Sequence, residues 1–169
     1  MPYHIFSGAG APVTTPQGVG HHYIDTSNDL SYISVGTSSS ADWQLQVGGS
    51  LIKDIVFLID GGGSTITTGI KGDFSVDFDA TILQATLLAD QTGSIVIDLW
   101  KDTFANYPPD NADSITASAP PTISSDVKSV DSALTGWTTS ITSGDTIRVN
   151  VDSVTDIQRV SLVLKVLRS

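Results

Sequence analysis

The side chains able to do chemistry in this sequence are Asp, Ser and Thr in quantity, and His at three positions only, His4, His21 and His22. Nucleophilic catalysis needs a hydroxyl, a base and an orienting acid brought together. All three histidines stand near the start of the chain, and no Gly-x-Ser-x-Gly segment occurs. A triad therefore has little support. Two carboxylates facing one bond can hydrolyse a glycoside. Asp73, Asp77 and Asp79 share one face of an alternating run, with Asp60 and Asp98 as conceivable neighbours. Outward Asp on an alternating strand is also the ordinary way to solvate a sheet, and that plainer reading accounts for their positions. His21 and His22 are metal ligands by type, but adjacent strand residues point to opposite faces. Only a three-fold arrangement would bring equivalent histidines to one ion. Asp110-Asn111-Ala112-Asp113 offers oxygens for Ca²⁺ without the spacing of an EF-hand loop, so a metal-free surface loop is expected. With no cysteine there is no thiol nucleophile, thiolate site or disulfide. The sequence assigns no catalytic residue, no metal and no cofactor, and a non-enzymatic protein is expected.

Aromatic side chains give the remaining candidates. Trp100, Phe104, Tyr107 and Trp137 are a possible ligand-binding set, because aromatic faces beside polar groups stack against sugar rings. The competing reading makes Trp100 and Trp137 core or interface anchors. Trp100 lies opposite Ile95, Ile97 and Leu99, which leaves it either exposed or in a subunit contact, and the anchor reading is preferred because aromatic residues are enriched at protein interfaces.

These residues must be carried by strands. All 18 acidic residues are Asp, and Glu is absent. Asp favours turns and caps over helix interiors. A chain rich in Asp, Ser, Thr, Gly, Val and Ile builds strands and turns. The net charge of −10 repels nucleic-acid phosphates and anionic lipid heads, so neither is expected as a partner. No apolar run is long enough to span a bilayer as a helix, so no membrane insertion is expected. The first residues lack the basic start and apolar core of a secretory signal. Work outside a cell would then follow lysis or release within a particle.

Residues 1–20, with three Pro and four Gly, read as an extended arm. Two runs, His22–Thr26 and Leu30–Val35, flank a Ser-Asn-Asp turn and predict a small β-hairpin. A lone hairpin is marginal in water, so it must lean on something. Residues 1–48 are thus expected to be an attachment or oligomerisation segment, and residues 49–169 a separate β-domain. Within the latter, Asp54–Asp60, Asp73–Asp79, Thr81–Leu88, Ser94–Lys101, Thr138–Ile141, Thr146–Asp152 and Ile157–Leu167 read as strands. Phe74, Val76 and Phe78 face inward, as do Ile147, Val149 and Val151. Residues 102–125 are a long connection, uncommon in a compact domain unless ordered or functional. The fold class expected is all-β: an antiparallel, jelly-roll-like β-sandwich, its two-faced strands needing a second layer.

Tyr23-Ile24-Asp25-Thr26, then Tyr32-Ile33-Ser34-Val35-Gly36-Thr37, then Asp42-Trp43 resembles a short element of tailed-bacteriophage fibre and virion proteins. Ile66–Asp73, Ala89–Val96, Leu99–Asp102, Pro108-Pro109, Ser118–Pro121 and Leu134–Trp137 are similar to C-terminal domains of phage tail and accessory virion proteins. The resemblance covers about residues 20–169. It implies a structural component of a virion (tail, collar, fibre or head accessory), assembled in the host cytoplasm. The implied partners are its own copies, as a homotrimer, and other virion proteins. The alternative expectation is a module that binds a host-surface carbohydrate through the loop at residues 102–121.

Overall fold

The computed structural model describes residues 4–46 and 51–169. The chain divides into two compact units, Met1–Ser50 and Leu51–Ser169. The boundary expected between residues 48 and 49 lies outside the described residues.

The smaller unit is a four-stranded sheet ordered β1 (Ile5–Gly8), β2 (His22–Asp25), β3 (Leu30–Ser34), β4 (Trp43–Gln46). The expected hairpin is β2–β3, paired antiparallel from His22–Ile33 to Asp25–Leu30. Within the expected extended arm, Ile5–Gly8 joins the sheet, where β1 pairs in parallel with β2. Three buried side chains hold that segment down by accepting or making bonds that its backbone needs. The Asp25 carboxylate is 1 % exposed and accepts from the Gly10, Ser27 and Asn28 N–H groups and from the Asn28 amide. These bonds, that of Asn28 first, hold its pKa below the usual carboxylate value. The Ser34 hydroxyl donates to the Gly18 carbonyl. The Trp43 indole N–H donates to the Thr14 carbonyl at 2.8 Å, while its ring packs against Phe6 and Tyr23.

The larger unit is an antiparallel β-sandwich made by folding one wide sheet across its middle. Its strands are β5 (Ile52–Asp60), β6 (Gly69–Val76), β7 (Ala80–Thr103), β8 (Thr122–Asp131), β9 (Ser140–Ile141), β10 (Asp145–Thr155) and β11 (Arg159–Arg168). β7 unites two runs that the sequence separates. Its first half pairs with β11, from Arg168–Ala80 to Val160–Ala89. Its second half pairs with β10, from Thr155–Ser94 to Asp145–Thr103. β5 adds to β11 and β6 adds to β10, while β8 follows the other edge of β7 across both halves.

The crease runs through residues 61–68, 89–93 and 156–158, and at two glycines in it other backbone atoms come too close for a side chain. A Cβ at Gly93 would lie 2.4 Å from the Thr155 carbonyl, and one at Gly61 would lie 2.1 Å from the Ser64 carbonyl. Only glycine fits either place. Asp90 accepts from the Gln158 and Arg159 N–H groups and secures the fold-over.

Folding buries one face of each half in a single core. Ile82, Leu87, Val160, Leu162, Leu164 and Val166 come from one half, and Ile95, Ile97, Leu99, Ile147, Val149 and Val151 from the other. Val76 is buried with them, and Phe74 and Phe78 pack half-buried at the margin. A bulge at Leu83 switches the inward residues of β7 from Ala80 and Ile82 to Ala85 and Leu87.

Candidate functional site

The connection after β7 is ordered because it continues the sheet and then covers it. The Ile115 N–H donates to the Leu99 carbonyl, the Ile97 N–H donates to the Pro121 carbonyl, and Ser114 bridges to Trp100. A buried carboxylate fixes this segment. Asp98 is 7 % exposed and accepts from the Leu99 N–H (2.8 Å), the Trp100 indole N–H (2.7 Å), the Ser114 hydroxyl (2.8 Å) and the Thr116 hydroxyl. Asp98 is therefore a structural anchor facing its own loop, which removes it from the solvated face.

The outer face of this half carries a row in register: Asp73 on β6, Arg148 on β10 and Trp100 on β7. Arg148 grips Asp73 through Nε (2.7 Å) and Nη2 (2.9 Å), the bidentate geometry that suits a guanidinium. Its Nη1 donates to the Pro109 carbonyl at 3.1 Å. The Tyr107 hydroxyl donates to Asp73 Oδ2 at 2.7 Å, and the Arg148 guanidinium lies 5.7 Å from the Tyr107 ring centre. Tyr107 is thus held at its hydroxyl and against one flank of its ring. Phe104, 76 % exposed, lies 6.5 Å from it, with the two rings tilted by 24°.

The charges of this cluster are locked. The Arg148 hydrogen bond, then that of Tyr107, holds the Asp73 carboxyl below its usual pKa against the opposing effect of burial. The Asp73 carboxylate pushes the Tyr107 phenol and the Arg148 guanidinium above their usual values. Beside the rings, Asp102 accepts from the Thr103 N–H (2.6 Å) and the Asn106 amide (3.1 Å), which hold its pKa down.

The four aromatic residues expected as a set divide in two. Phe104 and Tyr107 stand together at the surface. Trp100 is buried, 9 % exposed, and its indole N–H is occupied by Asp98. The covering loop takes the place of the solvent or subunit contact expected for it. Trp137 belongs to the core, with its indole N–H donating to the Ala119 carbonyl at 2.9 Å. Sequence reasoning missed Arg148 and the true role of Asp73. Both read correctly as outward residues of alternating strands, and only the pairing of β6 with β10 joins them. Among the described residues, no group of three or more His and Asp is placed to hold a metal ion.

A different outer surface belongs to the other half. Leu58, Ser161, Leu88 and Lys128 form one cross-strand row, and Val56, Val163, Thr86 and Val130 form the next. Val56 is 62 % exposed, Leu58 57 %, Leu88 49 % and Val130 66 %. Compared with protein-family models, curated proteins and solved structures, the chain finds no match.

Proposed function

We propose that the chain is a structural building block that associates with copies of itself within a larger particle. The observation that carries this reading is the apolar outer face formed by Val56, Leu58, Leu88, Val130 and Val163. A sheet solvated on one side places polar residues there. A contiguous apolar patch rimmed by polar groups marks an interaction surface.

Charge favours a second copy as the occupant. The chain carries 18 acidic and 8 basic residues. On this face, however, Lys128, Arg159 and Lys165 balance Asp54, Asp60 and Asp90, and Arg159 is paired with Asp60 at 2.8 Å. Two such faces can approach without the repulsion that the rest of the surface would impose. The setting proposed, a tailed-bacteriophage virion with a trimeric component, rests on the sequence resemblance alone.

Light scattering on the purified chain tests this reading. Association gives a mass above one chain, near three if the resemblance holds. Val56→Asp and Leu58→Asp should reduce it to one chain while leaving the β-sheet circular dichroism intact, since both side chains are exposed. A wild-type chain that is monomeric at micromolar concentration refutes the reading.

A further inference from the structure

We propose that the exposed Phe104–Tyr107 pair is a docking surface for one ring of an uncharged saccharide, with Asp102 and Asn106 as its polar rim. This goes beyond self-association, and the surface lies on the half of the sandwich opposite the apolar rows. A particle could therefore be assembled through one face and remain able to bind through the other.

Three features select this ligand. The first is preorganisation. An exposed tyrosine ordinarily samples several rotamers, and ordering it on binding costs affinity. Here Asp73 holds the hydroxyl, and Arg148, itself tied to Asp73 and to the Pro109 carbonyl, flanks the ring. Tyr107 is fixed before a ligand arrives, and the Phe104 ring stacks near it with most of its own surface open to solvent. The faces of aromatic rings carry the negative part of a quadrupole, which attracts the slightly positive C–H face of a sugar ring.

The second feature is the rim. Asp102 and Asn106 lie on the same short segment as the two rings. The Thr103 N–H and the Asn106 amide both donate to Oδ1 of Asp102, so the carboxylate is held in place on the segment that carries the rings. The backbone N–H of Thr103 and the amide of Asn106 keep that carboxylate ionised, which makes it a strong acceptor.

The third feature is charge and size. Arg148 is neutralised by Asp73, whereas Asp102, Asp110 and Asp113 bring negative charge to the surrounding loop. Sialylated or uronate-bearing glycans are repelled, and neutral sugars are not. A protein partner fits less well. Stable protein interfaces bury roughly 800 Å² on each side, well above the roughly 150–250 Å² that one aromatic side chain buries.

The test uses the full chain on an array of neutral glycans (glucose-, galactose-, mannose- and N-acetylglucosamine-terminated) and of sialylated and uronate-bearing ones. The neutral glycan giving the strongest signal is then titrated by saturation-transfer NMR. Binding to a neutral glycan is expected. Phe104→Ala and Tyr107→Ala should each weaken it about tenfold or more. Tyr107→Phe, which keeps the ring and loses the tether to Asp73, should weaken it less. Asp102→Ala should weaken it with both rings in place. Phe104→Ala should leave the melting temperature unchanged, since its ring is mostly exposed, so lost binding cannot be ascribed to unfolding. Failure of every neutral glycan to bind, preference for anionic glycans, or unchanged affinity in Phe104→Ala would overturn the proposal. A protein captured at the rings while all glycans fail would overturn it equally.

Discussion

Replacing Asp98 by Ala should be among the most damaging single changes to the larger unit, although Asp98 belongs to no hydrophobic core. The carboxylate accepts four hydrogen bonds. Two of the donors, the hydroxyls of Ser114 and Thr116, can turn to other acceptors if the loop loosens. The other two, the Leu99 N–H and the Trp100 indole N–H, are fixed in a buried strand. A buried donor left without a partner costs about 1–3 kcal/mol. Two of them give a loss of roughly 2–6 kcal/mol, a large part of the 5–15 kcal/mol that stabilises a typical domain. The melting temperature should fall by about 10 °C. Urea unfolding followed by circular dichroism and by tryptophan fluorescence measures both the loss and any earlier release of the loop. Asp98→Asn, which keeps the size and one acceptor oxygen, should fall between Ala and wild type. Asp77→Asn is the control, because Asp77 is exposed and should change stability by less than about 0.5 kcal/mol. If Asp98→Ala is no worse than this control, the argument that Asp98 anchors the loop is refuted.

Two further outcomes are expected. Asp73 has its pKa lowered in the folded chain, chiefly by Arg148, so its contribution is present above the unfolded carboxylate value near 3.9 and is lost as pH falls through the lower folded value. The stability difference between wild type and Asp73→Asn should therefore be constant above about pH 5 and shrink in acid; a difference that persists undiminished near pH 2 would show that the ion pair is not its source. A chain beginning at Leu51 should unfold cooperatively as a β-protein, because its core draws only on residues of that unit; a circular-dichroism spectrum without β-structure would show that the larger unit needs the smaller one.

Much of the fold is legible in the residues because alternation is a local property. Ile147, Val149 and Val151 read as inward from their own spacing, and all three are fully buried. The four-stranded smaller sheet was only half legible. The hairpin at β2–β3 shows in the apolar runs, whereas β1 is a short, exposed strand whose place depends on Asp25, Ser34 and Trp43 far along the chain. Its Pro and Gly content resembles that of an arm, and the bonds that pin it leave no local pattern.

Composition and period-2 spacing act within one strand, so the β class, the absence of disulfides, the acidic surface and the inward side of most strands can be read from the residues alone. The sequence also marked Phe104 and Tyr107 as candidate binding residues. Which aromatics reach the surface depends on the packing of distant segments. Trp100 and Phe104 are four residues apart, yet one is sealed by the loop that Asp98 anchors and the other stands in solvent. The same packing brings Asp73 to Arg148 across 75 positions and sets Val56 beside Val163, Thr86 and Val130 in one row. Each of these depends on which strands pair and in what register. Pairing energy comes from contacts between distant segments, and a single strand does not encode its neighbour.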